Sequence, residues 1–388
     1  MKQTAKLSFY SELAFGFVIL LYTLANFLLI LELPSNLIIG LAVLLSISLI
    51  ILNTLYKGDF YSNYIEKKAD LVLLVSLPLI FLFFNQNFES EFLGFILVAS
   101  LSYLAIFNMR NSDLLLLIFR CIFYIVLLGV LLGIIEYYFF ESSYFNDTVE
   151  FYPYSASGTK ISFSGFMYNY NSVTYFVICY MALLSFQNSD IRDYFLPIVI
   201  LFLMFSKLLI LFLLLIVLIK FFKGKARIAL SLFAIMSYLV LSNVLIVEEG
   251  TYPYPSMYFR EILTSYMSWD LVLSLHGWLK QQGLQELLVG ASNFIEFENK
   301  YSYQPHSSLI SFGLLGGIYF LFLFVGNLII VSLRILNQID ISDAPILYAA
   351  FLAFLIELIN WDFYDSFYFW IVFFICCKNL VKIKSNNN

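Results

Sequence analysis

Charged residues are scarce in this chain. Its 388 residues include 21 Lys and Arg and 26 Asp and Glu, so that 12% of the side chains are charged while 62% are hydrophobic. Soluble proteins are about 25% charged and about 45–50% apolar, which excludes an ordinary soluble globule and leaves no room for a soluble catalytic domain. The composition predicts a single polytopic membrane domain over residues 1–388.

Residue types that bind metals are scarce as well. The two histidines, His276 and His306, are 30 residues apart, and the four cysteines all lie in apolar stretches, at Cys121, Cys179, Cys376 and Cys377. Zinc and haem sites need more ligands at closer spacing, so we expect neither a metal nor another cofactor. The formal net charge of −5 excludes a strongly basic surface for nucleic acid.

What the sequence has instead is a series of apolar stretches. A membrane span needs about 20 apolar residues, and hydropathy with the placement of Lys and Arg predicts an all-α chain of twelve transmembrane helices. The predicted helices are 9–31, 36–56, 70–87, 92–109, 113–140, 171–187, 194–206, 208–222, 228–247, 307–333, 344–360 and 367–381.

Basic residues orient these helices. If 194–222 is a two-helix hairpin with Lys207 at its outer tip, 16 of the 21 basic residues fall on one side, which the positive-inside rule assigns to the cytoplasm. Both termini are then cytoplasmic. Two long segments become external loops, 141–170 and 248–306, and the apolar spacing in the second predicts an amphipathic helix over about 256–282 at the membrane interface.

Three polar residues of the predicted outer face are candidates for chemistry. Lys207 interrupts an apolar stretch, where a lysine is costly, and Arg260 falls in the first turn of the amphipathic helix, where anions are favoured. Two such cations suit a pyrophosphate. His306 precedes a span, and an imidazole there can take a proton from a sugar hydroxyl. The structural alternatives are a snorkelling lysine, a lipid-headgroup contact and an ordinary packed histidine.

Four acidic residues are alternative proton acceptors. They lie near the outer ends of predicted helices, within a span, or in the turn between the last two spans, and more often such residues cap turns or pair with a cation. They are Glu136, Glu357, Asp362 and Asp365.

The order of these residues resembles that of the O-antigen polymerase and O-antigen ligase superfamily. Ser206-Lys207 forms an outer turn, Arg260 and Trp269 lie in the long loop, and Pro305-His306-Ser307-Ser308 leads into a Gly-rich helix. The segment 164–171, SGFMYNYN, looks like the family's Gly-x-Phe…Pro-Asn motif and ends at Asn171. The likeness covers roughly 160–330. It departs from the family pattern in Lys for Arg at position 207, Tyr for Pro at 170, and Ser for Asn at 307.

The resemblance implies a metal-independent, inverting glycosyltransferase of the GT-C type in the bacterial inner membrane. On this interpretation Arg260, Lys207 and Lys160 hold the pyrophosphate of a polyprenyl-linked oligosaccharide, and His306 and Arg260 are catalytic. Asn171 and Trp269 bind the sugar or acceptor. The implied partners are this lipid-linked substrate, membrane lipid, a chain-length regulator and a flippase.

Several functions are compatible with the sequence. A polymerase transfers the glycan to another lipid-linked repeat unit, whereas a ligase transfers it to lipid A-core, whose phosphates favour a more basic outer rim than this chain has. We therefore favour the polymerase. A carrier that flips lipid-linked oligosaccharide would show cations in a central cavity open to both sides, and a structural membrane subunit would not need Lys207.

Overall fold

The computed structural model describes most of the helical part of the chain. The residues described are 2–57, 90–108, 112–140, 144, 147–150, 159–167, 170–187, 189–204, 207–222, 224–243, 288, 308–338, 344–360 and 366–386. The predicted helix 70–87 and nearly all of the predicted loop 248–306 lie outside them.

The described residues are helical apart from one short hairpin, which agrees with the predicted all-α class. The helices are α1 Lys2–Thr23, α2 Ala25–Ile30, α3 Ser35–Lys57, α4 Ser90–Asn108, α5 Ser112–Phe139, α6 Tyr170–Phe186, α7 Phe195–Met204, α8 Lys207–Phe221, α9 Gly224–Asn243, α10 Ser308–Gln338, α11 Pro345–Asn360 and α12 Phe367–Asn386. Strands β1 Asp147–Glu150 and β2 Thr159–Ser162 pair antiparallel, and a 3₁₀ turn, Ile191–Tyr194, precedes α7.

Three helices form the centre of the bundle. α6 and α11 are buried over most of their described side chains, and every side chain of α12 from Phe367 to Cys377 is buried. The rings of Phe324, Phe369, Phe373 and Phe374 surround Trp370 at centroid distances of 4.7 to 6.4 Å. A helix that is apolar on all sides is stable only inside other helices, which is the position these three occupy.

The surrounding helices expose apolar stripes. On α5, Leu117, Tyr124, Leu128, Leu131 and Ile135 are exposed at steps of three, four or seven residues, so they lie on one face. This face extends for about 27 Å at 1.5 Å per residue, close to the hydrocarbon thickness of a bilayer. Comparable exposed leucines occur on α3, and exposed aromatic and aliphatic side chains occur on α10.

Two described helical segments, Asp113–Phe139 and Gly317–Ile335, are long and apolar enough to cross a membrane, and shorter apolar segments accompany them. An outward apolar face of this length is unfavourable in water because nothing removes it from solvent. The helical architecture and its apolar surface are thus compatible with a membrane protein.

The stretch 194–222 contains two separate helices, α7 and α8, as predicted. α7 packs on α6, and α8 packs on α11 and α9. Met204 and Leu208 on either side of the division are buried, because α6 and α11 each offer an apolar face. The position of Lys207 at an outer tip stays a prediction.

Helix directions define two ends of the bundle. Near one end the rings of Tyr22, late in α1, and Phe367, at the start of α12, are 5.1 Å apart. Eleven residues further along α12, Lys378 Nζ donates to the carbonyl oxygen of Ile106 at 2.8 Å. We call these the Tyr368 end and the Lys378 end. Since α1 runs towards the Tyr368 end and α12 runs away from it, the first and last described helices have their chain-terminal sides at the Lys378 end.

α10 is two helices joined by a kink. Gly317 has φ 67° and ψ −175°, outside helical geometry, between two helical segments. That backbone conformation is essentially restricted to glycine. Phe312 before the kink contacts Phe320 and Phe324 after it, at centroid distances of 5.7 and 4.9 Å, so the aromatic rings hold the bend.

Candidate functional site

Polar side chains are gathered where the central helices meet at the Tyr368 end. α6 and α12 begin there and α11 ends there. The hydroxyl of Tyr175 on α6 donates to Oε2 of Glu357 on α11 at 3.2 Å, and both residues are buried. The hydroxyls of Thr23 on α1 and Tyr368 on α12 share a hydrogen bond of 3.2 Å. Buried polar groups need such partners, so these bonds fix the ends of four helices relative to one another.

A compact turn joins the hairpin to α6 and is packed against α5. Met167 N donates to Ser164 O at 3.1 Å, and both residues are buried. Gly165, between them, has φ 61°, the left-handed region that favours glycine. The ring of Phe166 lies 5.2 Å from that of Phe27 on α2. The motif glycine predicted from sequence thus occupies a turn that needs it.

The carboxylate of Glu136, in the last turn of α5, binds the backbone of the segment that follows this helix. Glu136 Oε1 accepts a hydrogen bond from the backbone N–H of Tyr144 at 2.6 Å, and Glu136 is buried. The hairpin β1–β2 then follows, with Val149 paired to Lys160. Within 141–170 the described residues thus include one β-hairpin and a backbone contact from Tyr144 to α5.

The Lys378 end has different chemistry. Arg120 on α5 forms an ion pair of 3.4 Å with Asp193, and both side chains are partly exposed. The Tyr180 hydroxyl also bonds to Arg120. The contacts of Arg120 with Asp193 and of Lys378 with the Ile106 carbonyl account for these two cations structurally.

The six predicted site residues are described to different extents. Asn171 is the second residue of α6 and is half-buried. Lys160 lies in β2, and Lys207 is the first residue of α8. Along the chain, Lys160 precedes the Gly165 turn and Asn171 follows it. His306, Arg260 and Trp269 lie outside the described residues, so the convergence of His306 and Arg260 stays a prediction.

The acidic alternatives divide in the same way. Glu136 and Glu357 are buried at the Tyr368 end, as described above, whereas Asp362 and Asp365 lie outside the described residues. Sequence reasoning missed the partner of Glu357, Tyr175, and missed Gly129 on α5, whose backbone contacts the Gly165 turn. A glycine in an apolar helix usually indicates close packing against another helix. Nothing in the sequence around Gly129 indicates that it packs against a loop instead.

Neither a metal cluster nor a disulfide is present within the described residues: no group of three His, Cys, Asp or Glu side chains could hold a metal ion there, and the four cysteines are free. Three of the cysteines are buried, while Cys121 is exposed on α5.

Comparisons of the chain with known protein families, with curated proteins and with solved structures found no match in any of the three. The functional argument therefore rests on the residues, their geometry and the motif resemblance given above.

Proposed function

We propose that this protein is a surface-polysaccharide polymerase of the bacterial inner membrane, a GT-C-type glycosyltransferase with about twelve spans. It transfers a glycan from a polyprenyl-pyrophosphate carrier to a second lipid-linked repeat unit at the periplasmic face. The observation that carries the proposal is the polar arrangement at the Tyr368 end, which adjoins the motif segment 164–171. The motif resemblance supplies the reaction type.

The topology proposed for the membrane places the Tyr368 end in the periplasm and both termini in the cytoplasm. Two observations support it. The terminal sides of α1 and α12 are at the same end of the bundle, as an even number of crossings requires. That end also carries Arg120 and Lys378, with Lys2, Lys6, Lys382 and Lys384 in the adjoining helical termini, which is the distribution that the positive-inside rule describes.

α7 and α8 are counted separately in this topology, although each is short. α7 has 10 residues and α8 has 15, or about 15 and 22 Å at 1.5 Å per residue, less than a hydrocarbon thickness of about 30 Å. Discontinuous helices in membrane proteins commonly direct their N-termini at anionic groups. Lys207 at the first position of α8 suits that role, and we assign it to the donor pyrophosphate.

In the proposed reaction, Arg260 and Lys207, with Lys160, hold the pyrophosphate and stabilise its charge as it leaves. His306 takes the proton of the acceptor hydroxyl, whose oxygen attacks the anomeric carbon from the opposite face. The electron pair of the broken glycosyl–oxygen bond stays on the pyrophosphate. Asn171 and Trp269 bind the sugar or acceptor.

Deletion of the gene in its host tests the proposal directly, with surface polysaccharide separated on gels. A polymerase predicts that the deletion strain carries at most one repeat unit on the lipid core and that the plasmid-borne gene restores the ladder. A deletion strain with no repeat unit on the core and accumulated carrier-linked polymer indicates a ligase instead. An unchanged ladder contradicts both.

A further inference from the structure

The backbones of α5 and the Gly165 turn touch at two glycines. A Cβ on Gly165 would lie 2.6 Å from the carbonyl carbon of Gly129 and 2.9 Å from the nitrogen of Val130. A Cβ on Gly129 would lie 2.9 Å from the backbone nitrogen of Phe166 and 2.9 Å from Cδ2 of its ring. Real Cβ atoms do not approach backbone this closely, so any side chain at either position displaces the turn.

This contact sets how far the turn reaches into the bundle. α5 ends at Phe139, ten residues beyond Gly129, which corresponds to about 15 Å at 1.5 Å per residue. The turn therefore lies well below the outer end of α5, and α6 begins only three residues after Met167. The depth of the Gly165 turn determines where α6 starts.

The opposite side of the same segment is held by α11. Tyr175 is one helical turn after Asn171, so the two residues share a face of α6, and Tyr175 donates to Glu357. The Gly165 turn is thus held against Gly129, and the first turns of α6 are held by Glu357. Asn171 lies between these two attachments.

We propose that Gly129 is a positioning residue for polymerisation: its missing side chain lets the Gly165 turn lie at the depth that places Asn171 against the lipid-linked sugar. The inference rests on the proposed function. Gly129 does not contact substrate, and it acts through the backbone of the turn and the first residues of α6. A displacement of about 1 Å at a positioned binding group is enough to weaken a reaction by up to about 100-fold.

The test is Gly129→Ala with two matched controls. Gly40→Ala adds a Cβ that meets nothing within 4 Å, so it reports the effect of a Gly to Ala change in an apolar helix. Gly16→Ala meets the flexible side chain of Ile118 and so alters the packing between α1 and α5 without touching the turn. Each variant is purified and assayed for polymerisation of the lipid-linked repeat unit, with folded protein measured separately.

Gly129→Ala is expected to raise the apparent KM for the lipid-linked repeat unit by about fivefold or more, while both controls keep the wild-type KM. A merely structural defect lowers the amount of folded enzyme, which reduces the maximal rate and leaves KM unchanged. An unchanged KM in Gly129→Ala therefore overturns the inference, whatever happens to the maximal rate.

If Gly129→Ala does not accumulate, Phe166→Leu provides the second test. The substitution replaces the ring that packs between α5 and α2 with a smaller side chain and leaves both glycines in place. We expect the KM to rise about threefold. A KM equal to that of Gly16→Ala overturns the inference. Wild-type protein that fails to polymerise the substrate overturns the proposed function and the inference together, which separates that failure from a failure at Gly129 alone.

Discussion

The two ends of the helix bundle are closed by different chemistry. At the Lys378 end, Arg120 pairs with the carboxylate of Asp193, and Lys378 donates to the backbone carbonyl of Ile106. At the Tyr368 end, buried carboxylates accept hydrogen bonds from a phenol and from a backbone N–H. The contacts at the Lys378 end are explained by stability. The Tyr368 end adjoins the motif residues, so function is expected there.

The comparison predicts that substitutions at the two ends fail in different ways. Variants at the Tyr368 end should lose product at unchanged protein levels. Variants at the Lys378 end should lose stability at unchanged product per folded molecule.

The largest effect is expected from His306→Ala and Arg260→Ala, which remove the proposed proton acceptor and the proposed pyrophosphate ligand. Loss of either group should reduce polymer about 1,000-fold, to near absence on gels of surface polysaccharide, with normal amounts of protein in the membrane. His276→Ala is the matched control, because His276 has no assigned role, and it should keep the wild-type ladder. Full activity in either variant rejects the role assigned to that residue.

A smaller loss of product is expected at the buried pair of Glu357 and Tyr175. Glu357→Leu removes the acceptor of the Tyr175 hydroxyl and should lower polymer per unit of membrane protein about tenfold, since the start of α6 is no longer held. Glu357→Gln keeps an acceptor oxygen and should lose about threefold or less. Equal losses from the two variants would show that the charge of Glu357, and not its hydrogen bond, is what the protein uses.

Lys378→Met tests the Lys378 end. The substitution keeps the length and apolar stem of the side chain but removes the donor to Ile106 O, and we expect the free energy of unfolding to fall by about 1 kcal/mol. Thermal unfolding in detergent gives the change in stability, and the polymerisation assay should show normal product per folded molecule. A loss of product at normal stability would contradict the division between the two ends.

The smallest effect is expected for the Arg120–Asp193 pair. Both side chains are partly exposed, at 40% and 37%, and water screens such pairs, so their coupling should be about 0.5 kcal/mol. A double-mutant cycle with Arg120→Gln and Asp193→Asn measures it. A coupling well above 1 kcal/mol would indicate a desolvated pair and a more demanding role for this end of the bundle.

Helix positions were well predicted because apolar runs of span length dominate the sequence. Each predicted span that falls among the described residues overlaps helical structure, but the predicted span 9–31 is two helices, α1 and α2, and α10 is kinked at Gly317. The helix termini differ as well. α12, for example, continues to Asn386, past the predicted end at 381, since the polar residues there include no helix breaker.

Tertiary contacts were harder to predict. Thr23 and Tyr368 are 345 residues apart in the chain, and no periodicity links them. The division near Lys207 was predicted from charge, but the burial of Met204 and Leu208 beside it was not, because that burial depends on the faces that α6 and α11 present. Gly165 was predicted through its motif. Gly129 lies in an ordinary apolar helix, and its role could not be predicted because it depends on the loop that packs on it.

The kink at Gly317 has a consequence for how His306 is connected to the rest of the protein. The interruption of the helical backbone divides α10 into a short first rod, which begins two residues after His306, and a long second rod that continues to Gln338. The two rods are coupled instead by the ring of Phe312, which packs on Phe320 and Phe324 across the joint. Substitutions at exposed positions of the long rod that take no part in this ring contact, such as Phe322 and Ile330, should therefore leave the bend unaltered, so that the outer surface of the long rod can vary independently of the short rod.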